Sequence, residues 1–177
     1  MKRTIKYTST LLVILLSVAS MANAQSLKAG EYTINGTQYE VRESNEYAYF
    51  GISRKNRAPL PKNKETINGL PSYYVRTIPT NESVWHQLVL NLLGSQRVSI
   101  LKQNKETLKA TFYFKPNGDI YFMSFRLKSN TKFTLQEIVG IEQELLQKYK
   151  ATLKSDNNGH LQLAWISINS NLDFSKL

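Results

Sequence analysis

Apolar and polar positions alternate along most of this chain, and the breaks in that alternation mark its turns and two helices. Glu31–Ile34 and Thr37–Arg42 alternate around Asn35-Gly36, a pair suited to a two-residue hairpin turn because both residues tolerate positive φ. That turn pairs Ile34 with Thr37 and Tyr32 with Tyr39, so Tyr32, Ile34, Tyr39 and Val41 share one face. Ser44-Asn45-Glu46 leads into a third strand, Tyr47 to Ser53, with Phe50 and Ile52 opposite Tyr47 and Tyr49. Residues 54–71 read as a loop. Ser72 to Ile78 reads as a strand stopped by Pro79.

A helix follows, with Asn81 at its N-cap and Val84, Trp85, Leu88, Val89, Leu92 and Leu93 at helical spacing. Gly94 supplies the stop, and Val98 to Leu101 has the length and apolarity of a short strand. Leu108–Lys115 and Ile120–Leu127 then flank Pro116-Asn117-Gly118-Asp119. A two-residue Asn117-Gly118 turn sets Phe114 against Tyr121, Phe112 against Met123, Ala110 against Phe125 and Leu108 against Leu127. The other face then carries Lys109 beside Arg126, Thr111 beside Ser124 and Tyr113 beside Phe122. Turn chemistry and alternation agree on this register.

Thr134-Leu135-Gln136-Glu137 is a capping box that opens a second helix. Its apolar stripe is Leu135, Ile138, Val139, Leu145, Leu146 and Tyr149, with Ile141 at the margin and Glu142 inside it. Asp156–Gly159 is a loop, and Leu161 to Ile168 reads as the last strand. Strands grouped in hairpins, with helices after them, imply an α+β fold: a mainly antiparallel sheet built from two Asn-Gly hairpins with two helices packed on it.

The N-terminus changes the picture of where the chain works. Lys2, Arg3 and Lys6 precede an apolar run from Leu11 to Val18, and Ala22-Asn23-Ala24 sets small residues before Gln25. This is the layout of a signal peptide. The expected organisation is a signal peptide over 1–24, cleaved after Ala24, and one α+β domain over 25–177. The product is expected in the periplasm or outside the cell, with no transmembrane segment. The chain has no cysteine, which excludes disulfides, thiol nucleophiles and zinc–thiolate sites. Net charge is +10, and removing the three leader cations leaves +7. That balance favours anionic partners, and the expected partner is an unknown protein or an anionic or glycan ligand at the cell envelope.

From residue 84 onward the segments KATFYFKPNGDIYFMSFRL, FTLQEIVGIEQEL and LQLAWISI follow in order. Their hairpin–helix–strand sequence resembles the C-terminal domain of TonB-type proteins. The resemblance implies a helix packed on a sheet. It brings no functional residue, because neither a Pro-rich spacer nor the family's Tyr-Pro or Trp-x-Pro signature is matched. The whole chain resembles the small exported proteins of uncharacterised function found in Bacteroides-type bacteria.

Candidate chemistry is sparse. The two histidines, His86 beside the helix start and His160 in a loop, show no metal-binding spacing and read as exposed and inert. No Gly-x-Ser-x-Gly elbow or phosphate-binding loop is present. Glu142, turned toward an apolar stripe, reads as reaching a lysine or backbone donor at the helix edge. The remaining feature is basic and aromatic: Arg54, Lys55 and Arg57 in the loop after Tyr47 and Tyr49. Those five residues are the candidate ligand site. No metal, cofactor or catalytic residue is assigned, and nucleic acid is not the favoured ligand. The function that composition and motifs favour is a non-enzymatic exported binding or protein-interaction module. The alternative is a small secreted or periplasmic hydrolase.

Overall fold

The computed structural model describes residues 27–44 and 46–177. The expected leader, with its cleavage position, lies outside them. The main sheet has six strands: β1 (Gly30–Ile34), β2 (Thr37–Ser44), β3 (Tyr49–Arg54), β7 (Thr107–Phe114), β8 (Ile120–Lys128) and β10 (Ile166–Asp173). Their spatial order is β1-β2-β3-β8-β7-β10, and every neighbouring pair is antiparallel. Two small ladders join β4 (Thr66–Ile67) to β5 (Leu70–Pro71) and β6 (Thr77–Pro79) to β9 (Leu153–Ser155).

The first hairpin pairs Ile34 with Thr37 and Tyr32 with Tyr39, with Asn35 at φ 50° and Gly36 at φ 75°. The second keeps the expected pairs from Tyr113↔Phe122 inward, but its tip differs. Gly118 donates to the Lys115 carbonyl, Lys115 donates to the Asp119 carbonyl, and Phe114 pairs with Ile120 rather than Tyr121. A three-residue loop and an extra residue, Tyr121, replace the two-residue turn, and the two irregularities cancel. Gly118 is at φ 87° and lies against Ala151, where a Cβ would sit 1.9 Å from the carbonyl oxygen. The turn is thus fitted to the chain leaving the second helix.

Among the described residues the α-helices are α1 (Glu82–Gln103) and α2 (Leu135–Lys148). Alternate residues of the strands face them. Val41, Phe50, Ile52, Leu108, Phe112 and Phe125 are buried with Trp85, Val89 and Leu101 of α1 and Ile138, Ile141 and Leu145 of α2. Phe112 meets Trp85 edge-on at 5.6 Å and stacks on Phe114 at 5.3 Å. α2 carries the capping box: Thr134 Oγ1 accepts from the Glu137 amide, and Glu137 accepts from the Thr134 amide. Arg97 of α1 clamps the same Glu137.

Several expected boundaries move. Gly94 breaks the helical geometry at φ 73° but does not stop α1, so Val98–Leu101 is helical and Leu101 is fully buried. Helical spacing resumes after the kink and wins over the isolated positive φ. Asn81 is the N-cap residue without capping by its side chain, which instead binds Lys150 O and Thr152 N. Val84 and Leu92 are exposed. Ile141, expected at the margin of its stripe, is fully buried. The third strand begins at Tyr49 because Ala48 turns at φ 47°. Ser72–Ile78 divides into a 3-10 turn at Ser72–Tyr74 and the short β6. The last strand is Ile166–Asp173, not Leu161–Ile168. Asn157 and Asn158 at φ 50° and 53° take the preceding chain into a 3-10 turn over Asp156–Gln162. Among the described residues no helix is long and apolar enough to cross a membrane.

Candidate ligand groove on the open sheet face

Strand register sorts the face away from the helices into parallel rows. One row runs Lys109, Arg126, Gly51, Arg42 across β7, β8, β3 and β2. The next runs Thr111, Ser124, Ser53, Glu40 across the same strands. Gly51 carries no side chain, so the first row has a gap at the middle of the face. Two hollows of about 600 and 330 Å³ meet at Tyr49 and Arg126. The larger runs from Tyr47 past Lys109 to Lys128, and the smaller crosses Gly51 toward Arg57.

The groove is cationic at its centre. Lys109 and Arg126 are direct cross-strand partners and both are exposed. Among the described residues neither they nor Lys128 has a carboxylate partner. Arg126 lies over the Tyr49 ring at 4.6 Å, and Lys128 donates to the Lys105 carbonyl at 2.8 Å. Arg42 is compensated by Glu40 at 2.8 Å; their hydrogen bond raises the arginine's pKa and lowers the carboxylate's. At one end the neighbouring Glu46 raises the Tyr47 phenol.

The far end is roofed. Tyr113 stacks on Phe122 at 4.3 Å, Trp165 approaches Tyr113 at 5.7 Å, and the Arg57 guanidinium caps Phe122 at 4.3 Å. The loop between β3 and β4 is held there by Asn63, which accepts from the Ala164 and Trp165 amides, and by Trp165 Nε1 donating to Pro61 O.

The five residues expected to form one site do not come together on this face. Tyr47 and Tyr49 stand at the start of β3, with ring centroids 6.2 Å apart. Arg54 ends the strand, about 17 Å away at the usual rise per residue. Lys55 is paired with Glu31 at 2.5 Å, and Arg57 covers Phe122. Arg54 reaches the helix side, where its Nε binds Glu142 at 2.9 Å. Lys128 stands opposite Tyr49, and Lys109 and Arg126 lie level with Gly51; the charge count along the loop missed all three. The signal was present in the second hairpin, whose register sets Lys109 beside Arg126.

Glu142 is not at a helix edge. It is 1 % exposed and accepts from Tyr39 Oη at 2.7 Å as well as from Arg54. Burial raises the Tyr39 phenol, and the bond to Glu142 adds to it. Burial opposes the Arg54 charge, but Glu142 outweighs it and holds the guanidinium above its usual pKa. The histidines are not exposed either. His160 is buried, with Nδ1 2.7 Å from Ser155 Oγ, and no carboxylate among the described residues hydrogen-bonds to this pair. His86 Nε2 is buried without a hydrogen-bond partner, and burial lowers its pKa. Near it, Ser170 donates to Glu82 and accepts from Trp85 Nε1, so its hydroxyl is engaged away from the imidazole. No group of three or more His, Asp or Glu able to hold a metal occurs among the described residues.

No family model matches the chain, and no curated protein sequence does. Its architecture is found in a solved structure. The crystal structure of a DUF5043 family protein from Bacteroides uniformis ATCC 8492 is similar, with a TM-score of 0.62 over 84 % of this chain and 86 % of that one. At 17 % identity the two share a fold, and the likeness carries no residue roles.

Proposed function

We propose that this chain is a non-enzymatic binding module that takes an anionic ligand on the open face of its sheet. The observation behind it is the like-charged pair Lys109 and Arg126, directly opposed on β7 and β8 without a carboxylate partner among the described residues. Opposed like charges weaken a sheet. An anion seated between them reverses that cost and gains from both. The groove around them supplies the concavity that a ligand site needs.

Residues 25–177 act as the binding unit in this reading, exported to the periplasm or beyond after removal of 1–24. Support for export is the basic segment, apolar run and Ala-Asn-Ala of the N-terminus. N-terminal sequencing of the protein from its native host tests it: an intact Met1 end refutes cleavage. The TonB-like element order contributes no residue to this function. The hydrolase alternative draws no support from the two histidines, neither of which is hydrogen-bonded to a carboxylate among the described residues.

Titration calorimetry with heparin and polygalacturonate at low and high salt tests the binding. Binding should weaken with salt, since the cations are exposed. The Lys109→Ala/Arg126→Ala variant should lose at least about tenfold in affinity, whereas Lys55→Ala, already paired with Glu31, should change little. Unchanged affinity in the double variant would remove the proposal.

A further inference from the structure

Resting on the anion-binding reading, we infer that the ligand is an acidic oligosaccharide laid across the strands, with roughly one sugar per strand. The row from Lys109 to Arg42 crosses three strand spacings, about 14 Å in all. Each spacing is close to the advance of one pyranose along a glycan chain. Acidic groups of the sugars meet Lys109 and Arg126. Beside that row, one pleat repeat away, stand three adjacent hydroxyls: Ser124, Ser53 and Thr111, the last donating to Asn169 Oδ1 at 2.7 Å and so left as an acceptor. Such a row matches the ring hydroxyls of a sugar, each side offering donors and acceptors. Gly51 leaves the room for a ring to settle between the cations, since the atoms nearest the place of its Cβ, the Arg42 carbonyl oxygen and Tyr49 Cε2, stand 4.0 Å away.

The aromatic rings favour a glycan over a nucleic acid strand. Base stacking needs open ring faces. Here Tyr49 lies under Arg126 and Phe122 under Arg57, so the rings along the middle of the groove are covered by guanidinium groups and the exposed Tyr47 stands at one end, too few open faces for a run of stacked bases. Charge and hydroxyl contacts remain as the means of recognition.

The test uses galacturonate and heparin oligosaccharides of defined length, inorganic phosphate and single-stranded oligothymidylate, each titrated into the protein. At least one saccharide series should tighten by about tenfold or more from monosaccharide to tetrasaccharide and then level off, because linked contacts act at high effective concentration. Thr111→Val with Ser124→Ala should weaken the tetrasaccharide severalfold and leave phosphate unchanged. Gly51→Val should block the tetrasaccharide. A monosaccharide or phosphate that binds as tightly as the tetrasaccharide overturns the extended ligand and leaves a single-anion site standing. Oligothymidylate binding more tightly than every saccharide overturns the glycan. Absence of binding by all probes removes the anion site itself.

Discussion

Replacing Glu142 with leucine removes the carboxylate that joins α2 to the sheet. Tyr39, itself 2 % exposed, then loses the acceptor for its hydroxyl, and Arg54 loses its counter-charge. Breaking a buried ion pair from one side costs about 3–5 kcal/mol. The Arg54 side chain keeps 31 % of its surface, so water recovers part of its solvation and the lower end applies. The expected loss is about 3 kcal/mol, a large part of the roughly 5–15 kcal/mol that holds a domain folded. Glu142→Gln keeps an acceptor but no charge and should cost about half as much. Removing all three polar groups, as Tyr39→Phe/Arg54→Met/Glu142→Leu, should return stability to within about 1 kcal/mol of the parent, since no buried group is then left unpaired. Urea unfolding followed by circular dichroism measures each value by linear extrapolation. A loss below about 1 kcal/mol for Glu142→Leu, or additivity between Tyr39→Phe and Glu142→Leu, would refute the account, because contacting groups must couple.

Three further outcomes follow from other parts of the molecule. Gly118→Ala should destabilise by more than about 2 kcal/mol in the same assay, because positive φ and the contact with Ala151 both penalise a Cβ; a neutral result would mean the turn is not fitted to that segment. His86 has a folded pKa below its ordinary 6.5, so its contribution is present above that value and lost as pH falls through the folded one. Glu82 opposes that shift without cancelling it. Stability should therefore decline from about pH 6.5 downward, and a slope undiminished in His86→Phe would exclude this source. Lys109→Glu turns the pair with Arg126 into an opposite-charge pair and should stabilise the fold by about 0.5–1 kcal/mol while abolishing anion binding. Stabilisation with affinity retained would separate the pair from the groove.

What was legible in the sequence is what short-range chemistry dictates. Asn35-Gly36 and the Thr134–Glu137 capping box act within four residues, and both appear as read. The inner-face residues of the second hairpin follow from alternation alone. Gly94 misled because a positive φ normally ends a helix, whereas this chain kinks and resumes, with Arg97 and Leu101 held from α2 and the core. The last strand was misplaced because its inward positions include Ser170, which is polar yet buried; its cost is met by Glu82 and Trp85, more than eighty residues earlier. The partners of Glu142 are equally remote, 88 and 103 residues away. The groove required the neighbour relation between β3 and β8, which no local pattern specifies.

That neighbour relation has a consequence for motion. β1, β2 and β3 form a meander that joins the rest of the sheet along one ladder, β3 with β8, reinforced by the Arg54–Glu142 bond. It is the natural line of sub-global opening, and native-state hydrogen exchange should find the meander releasing its amides at lower free energy than β7 and β8. The groove straddles that line: Tyr49 and Gly51 lie on one side, Arg126 and Lys109 on the other. A bound ligand therefore acts as a rivet, and its occupancy should be readable as slowed exchange along the β3–β8 ladder.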